Sequence, residues 1–338
     1  MLSTPVRGVE RSCGCEWIGS VGRGGQYFRM SARILLPPEL RGAPFSVASA
    51  LSRGVGAGRL RGPDLERPFW GTRNASGSAT GLLERAQTYS VRMPADGFFS
   101  HLTAAALWGI PLPPRHAART ALDAAVPHDG VVPAGAGVVG HRLQIAECDV
   151  ETSQGIRVTS LARTWCDLGA LLSEEDLVAA GDFLLWHRRP VQLRLAREEL
   201  WDALGRHRGR RGRPLLRLAI PTLTDRADSP PESVIRVRCI RAGLPTPAVN
   251  VDAYDAFGRF LGMPDLSFPK YRVAVDYEGE IHRTDAALWS KDLKRAPRFE
   301  DADWSYLRAG AADYRNSDEL IARIGNRLRR RGWSRLEA

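Results

Sequence analysis

The apolar positions of this chain fall into stretches of helical and of strand period, separated by turns rich in glycine and proline. Residues 271–278 carry Val273, Val275 and Tyr277 in an apolar run, which predicts a buried strand. A tight Pro269-Lys270 turn joins it to a second apolar run over 260–268. Residues 98–113 predict a helix, with Ser100 or Thr103 as its cap and Gly109 and Pro111 as its stop. Residues 120–127 and 138–145 read as strands, and the intervening HDGVVPAGAG reads as a loop. A strand at Ile156–Val158 precedes two helices, the first capped by Thr159 or Ser160 and the second by Ser173. Asp182 falls in the apolar stripe of the second helix, as a buried acid with its hydrogen bonds satisfied. Beyond residue 228 the order is helix (231–242), strands (248–253, 260–268, 271–278), helix (284–296), strand (304–308) and helix (316–331). That order predicts an α/β (α+β) fold, a mixed sheet flanked by helices. No GxGxxG or GxxxxGK[ST] signature accompanies it, which argues against a dinucleotide fold or a P-loop.

Composition adds a sign of charge and a compartment. The 338 residues carry a net charge of +10, and the pI is near 9.9. Of 48 basic side chains all but Lys270, Lys291 and Lys294 are arginine, a bias suited to bidentate phosphate contacts. An acidic partner is implied, nucleic acid before membrane. Cys13, Cys15, Cys148, Cys166 and Cys239 are odd in number and scattered, so neither a zinc site nor a disulfide framework is expected and a cytoplasmic setting fits. No apolar run is long enough for a membrane span.

The patterns divide the chain into five segments. Residues 1–30 lack periodicity and read as a disordered or misannotated extension, with Met30 an alternative start. Residues 31–95 hold a helix capped by Ser46 and stopped by Gly54, then a basic turn with Arg53, Arg59 and Arg61. This reads either as a winged-helix-like DNA-binding segment or as a structural cap. Residues 96–190 read as a small α/β domain, and 191–227 as a basic linker or helix. Its densest basic run, 206–213, includes Arg210 and Arg211 and could grip phosphates or stay solvated. Residues 228–338 form the last domain.

The candidate chemistry lies in that domain. Asp276 and Glu278 are two apart on an apolar strand and so share a face. Two like charges there call for neutralisation, and a divalent cation with oxygen ligands, Mg²⁺ or Mn²⁺, is the expected answer. Lys291 and Arg295 are four apart on the helix expected over 284–296, and with Lys294 they could hold a DNA backbone.

Residues 228–333 resemble the very-short-patch-repair-like branch of the PD-(D/E)xK endonuclease superfamily. The matching pieces are Ser229-Pro230-Pro231-Glu232, GLPTPAVNV, PDLSFP with Asp265, VAVDYEGEIH, Trp289, Asp292 and WSYLR. The resemblance implies a restriction-endonuclease-like sheet that hydrolyses DNA with a bound metal. It makes Asp265, Asp276 and Glu232 the metal ligands, Glu278 the fourth catalytic acid and His282 a positioning or protonating group. The pair stands here as Asp-Tyr-Glu-Gly where the family has Glu-x-Asp-Gly, and no lysine occupies the motif's lysine position. Residues 44–185 are similar to antitoxin proteins of the AbiEi type, through PFSVASALSRGVGAGRLRG, FSHLTAAALWGIPLP and GIRVTSLARTWCDL. That likeness implies a winged-helix-like start, a cognate toxin as partner, and the alternative of a non-enzymatic DNA-binding regulator with a decayed nuclease domain.

Overall fold

The computed structural model describes residues 35–74, 81–278 and 295–335. The extension at 1–30 and the stretch 279–294, with His282, Lys291 and Lys294, lie outside the described residues. The chain is a mixed α/β protein with antiparallel and parallel strand pairs in its sheets. It divides into two compact units at Met93/Pro94.

In the first unit β1 (Phe45–Ser46) leads into α1 (Val47–Ser52), and β1 pairs antiparallel with β2 (Thr72–Arg73). Ser46 Oγ accepts the Ser49 N–H, which satisfies one of the helix's free donors. Gly54 follows at a positive φ of 79°, the left-handed conformation that ends a helix at least cost in glycine. Leu36, Leu40, Phe45, Ala50, Leu60 and Leu65 form the unit's core. A second helix, α2 (Leu82–Ser90), follows.

The second unit begins with a five-stranded sheet. Its strands are β3 (Phe98–Phe99), β4 (Leu122–Pro127), β5 (Val138–Leu143), β6 (Val150–Ser153) and β7 (Ile156–Thr159), in the order β5-β4-β3-β7-β6. The helix expected over 98–113 is shorter. Phe98 and Phe99 pair with Ala125 and Ala124, and α3 runs only from His101 to Leu107. Two large buried aromatics meet a flat sheet better than a helix turn, so local pairing overrides the helical reading. The short α4 (Pro114–Ala117) precedes β4. After β7 come α5 (Leu161–Leu168), capped by Ser160 Oγ on the Arg163 N–H, and α6 (Glu174–Leu185), capped by Ser173 Oγ on the Asp176 N–H.

The segment 191–227 is part of the core rather than a linker. It forms α7 (Arg197–Arg206) and α8 (Arg213–Ala219). Leu200, Ala203, Leu204, Leu216, Ala219 and Leu223 are buried with Trp165, Leu177 and Leu184. The arginine count masks a helical apolar spacing, since long charged side chains reach solvent from a helix whose other face is buried.

The last part starts at α9 (Pro230–Arg241), whose Val237 joins the same core. Asp182 on α6 accepts from the Thr224 N–H at 2.7 Å, the Ser233 hydroxyl at 2.7 Å and the Arg236 guanidinium at 2.8 Å. This satisfied buried acid locks α6 to α9. The expected strand over 248–253 splits into β8 (Ala248–Val249) and β9 (Ala253–Tyr254), with Asn250 between them at a φ of +47°. The run over 260–268 splits likewise into β10 (Phe260–Gly262) and β11 (Leu266–Phe268), which belong to different sheets. Pro264 cannot donate to a continuous ladder, and Gly262 sits at φ +150°. β12 (Val273–Glu278), α10 (Arg295–Asp301), β13 (Ser305–Gly310), α11 (Ala311–Arg315) and α12 (Ser317–Arg330) complete the chain. The main sheet runs β13-β12-β11-β8, with β12 antiparallel to β11 and parallel to β13. Val273 and Val275 pack in the cluster that includes Ile235 and Ile324, while Ala274 packs in the cluster of Phe299, Trp304 and Tyr306. β12 is therefore covered on both faces.

A candidate carboxylate site

The hairpin β11–β12 sets the site. Its register pairs Leu266 with Val275, and one step further places Asp265 opposite Asp276. The two residues interlock: the Asp265 N–H donates to Asp276 Oδ1 at 2.9 Å, and the Tyr277 N–H donates to Asp265 Oδ2 at 2.7 Å. Like charges directly opposite one another across a strand pair are unfavourable. Burial, then the charges of Asp276 and Glu232, push the Asp265 carboxyl up to about 7. The Tyr277 N–H and Arg295 oppose that rise.

Asp276 is buried and answered by protein groups. The Tyr306 hydroxyl donates to its Oδ2, and Arg295 Nε stands 3.1 Å from the same oxygen. Burial and the neighbouring carboxylate push the Tyr306 hydroxyl well above its usual range, so it stays a proton donor. Arg295 also donates to the Met263 carbonyl. Arg295, expected from the sequence to hold a DNA backbone, turns its guanidinium toward the buried acid Asp276.

Glu232 lies in the first turn of α9 and is also buried. Its oxygens accept from the Ser229 hydroxyl at 2.7 Å, the Asp228 N–H at 3.0 Å and Asn250 Nδ2 at 2.8 Å. Burial raises its pKa, and these three donors oppose the rise. Asn250 also donates its backbone N–H to the Asp265 carbonyl at 3.0 Å, so one residue ties Glu232 to the Asp265 strand. The sequence reading missed Asn250. The available signal was an asparagine breaking an apolar run, since asparagine tolerates the left-handed conformation that it adopts here.

Glu278 does not join this group. It is exposed at the end of β12, and its Oε1 lies 3.3 Å from Arg308 Nε. Among the described residues no group of three His, Cys, Asp or Glu stands close enough to hold a metal ion. The donor set nonetheless suits a hard divalent cation in kind. Asp265 and Asp276 are oxygen donors under mutual repulsion, and among the described residues Asp265 Oδ1 accepts no hydrogen bond.

The basic candidates are spread over the molecule. Arg59 is held by Asp64 in a bidentate pair at 2.7 and 3.0 Å, which uses the fork a phosphate would need. Arg53 is exposed and donates to the Ser49 carbonyl, and Arg61 is exposed. Arg210 and Arg211 are exposed on the connection between α7 and α8.

No family model and no solved structure matches the chain. Two uncharacterized proteins of Mycobacterium tuberculosis, from strains CDC 1551 / Oshkosh and H37Rv, are each 30% identical to it over 139 residues. The match covers 41% of this chain, and the chain spans about half the length of these curated relatives. No described helix is long and apolar enough to cross a membrane.

Proposed function

We propose that the C-terminal part of the chain is the catalytic module of a metal-dependent DNA endonuclease. The observation that carries the reading is the interlocked Asp265–Asp276 pair, with the Asp265 carboxyl pushed up to about 7 by burial beside two other acids. Paired oxygen donors whose charges oppose each other are what a divalent cation relieves. Mg²⁺ or Mn²⁺ would be held by Asp265 and Asp276, with Glu232 alongside, and would supply Lewis-acid polarisation of a phosphodiester and an acidified water. The protein's own part is positioning. Asn250 keeps Asp265 in register with α9, and Tyr306 keeps its proton and orients Asp276. A DNA substrate suits the net charge of +10. The free thiols Cys148, Cys166 and Cys239 suit a reducing cytoplasm.

The test is cleavage of supercoiled plasmid by purified full-length protein with Mg²⁺ or Mn²⁺. The expected result is nicking that Asp265→Asn abolishes. Equal activity of wild type and variant, or none in either, refutes it.

One feature favours a second reading, a non-enzymatic DNA-binding antitoxin or regulator with a toxin as partner. Arg295 already supplies a positive charge beside Asp276, so a cation is not needed to balance that acid. Under this reading wild type does not cut, and Asp265→Asn shifts DNA in a gel as well as wild type does.

A further inference from the structure

A second polar site lies apart from the carboxylates, where the five-stranded sheet meets α5 and the connection between α7 and α8. Its cavity is about 610 Å³, within the range of small-molecule sites. The floor is built from acids already balanced by the protein. Asp123 takes Arg119 at 3.0 Å and His141 Nε2 at 2.9 Å. Arg163, almost fully buried, donates to Asp167 Oδ1 at 2.9 Å and to the Gln144 carbonyl at 3.1 Å. The rings of His101 and His141 stack at 4.1 Å. Burial, then the neighbouring His141, lowers the His101 pKa to about 4, so a neutral ring lines this cavity.

Two buried polar atoms on residues lining the cavity have no hydrogen-bonding partner among the described residues: Asp167 Oδ2 and His207 Nδ1. Asp167 is 3% exposed and His207 6%, and His207 Nδ1 stands 3.7 Å from Asp167 Oδ1, too far for a hydrogen bond. A buried polar atom left unpaired is costly, so a group of complementary chemistry is called for there. The lining also includes the exposed Arg142, Arg208, Arg210 and Arg211, whose guanidinium groups form no hydrogen bond or ion pair among the described residues.

The ligand must thus carry an anionic end for the arginines and a donor-bearing ring end for Asp167 Oδ2 and His207. We propose that this cleft binds a nucleoside phosphate, with its phosphates against Arg142, Arg208, Arg210 and Arg211 and its base or sugar edge against Asp167 and His207. The inference is independent of the endonuclease reading.

The experiment is calorimetric titration of the full-length protein with ATP, GTP, CTP and UTP. Inorganic tripolyphosphate serves as the control that carries the charge without the nucleoside. At least one nucleotide should bind about tenfold or more tighter than tripolyphosphate, the scale of one or two hydrogen bonds to a charged group. The double variant Arg210→Ser/Arg211→Ser should weaken that binding by about tenfold or more with an unchanged melting temperature. Asp167→Asn should narrow the preference for nucleotide over tripolyphosphate. Asp265→Asn should leave binding unchanged. The proposal is overturned if no nucleotide binds at millimolar concentration, if tripolyphosphate binds as well as every nucleotide, if the arginine variant binds like wild type, or if Asp265→Asn abolishes binding.

Discussion

Replacing Asp265 by asparagine should make the protein more stable as the pH rises. The carboxyl sits between Asp276 and Glu232 with its ionisation pushed from 3.8 to about 7. Between those values the unfolded chain releases the proton while the folded chain keeps it, so folding stability falls as pH rises from about 4 to about 7. About three pH units at about 1.4 kcal/mol each is on the order of 4 kcal/mol, reduced to roughly 2–4 because the side chain is only half-buried. Asparagine keeps an oxygen for the Tyr277 N–H and removes the charge. The quantity to measure is the difference in urea unfolding free energy between Asp265→Asn and wild type, in steps from about pH 4.5 to about pH 8. The wild-type curve alone is not enough, because His101 titrates over much the same window with the opposite sign. The variant's advantage should grow with pH and level off above about 7. Added Mg²⁺ should then raise wild-type stability and shrink the advantage, by about 2.7 kcal/mol at a hundredfold excess over the dissociation constant. A difference that stays flat across the pH range would show that Asp265 is not held protonated, and the strain attributed to the acid pair would fall with it.

Three further outcomes are expected. Asp182→Ala leaves the Arg236 guanidinium buried without its acid and should cost about 3–5 kcal/mol in urea unfolding; a loss below about 1 kcal/mol contradicts the α6–α9 lock. The His101 ring should titrate near 4 by NMR. The corresponding stability, on the order of 3 kcal/mol, should be present above about pH 6.5 and lost as pH falls toward 4, and His101→Gln should remove that loss. Tyr306→Phe removes a donor from buried Asp276 and should destabilise by about 1–3 kcal/mol, read as a lower urea midpoint.

Where hydrophobic period and end signals agree, the sequence alone determined the elements. The helix expected over 231–242 is observed at Pro230–Arg241, and that over 316–331 at Ser317–Arg330. The strand expected over 271–278 is observed at Val273–Glu278. Those segments carry proline at a first turn, glycine after a last turn, or apolar residues at strand period, and each constrains the backbone locally. The turn alone did not make the pairing of Asp265 with Asp276 legible: a two-residue Pro269-Lys270 turn would set Asp265 opposite Ala274, whereas the longer turn through Arg272 sets it opposite Asp276, and only the family resemblance brought the two acids together.

Tertiary structure decided the rest, because the deciding partners are distant in sequence. The register could not say that Tyr306 and Arg295 would close on Asp276 or that Glu278 would stay exposed, as those groups come from β13 and α10. Nor could composition separate a basic linker from α7 and α8. Only the burial of Leu200, Leu204 and Leu216 beneath the arginines shows that they belong to the core. The cleft of His101, His141, Asp167 and His207 had no local signature at all, because its members come from four separate segments. Period and turn chemistry act over a few residues, whereas the balance of a buried charge depends on whichever groups the completed fold brings within hydrogen-bonding reach.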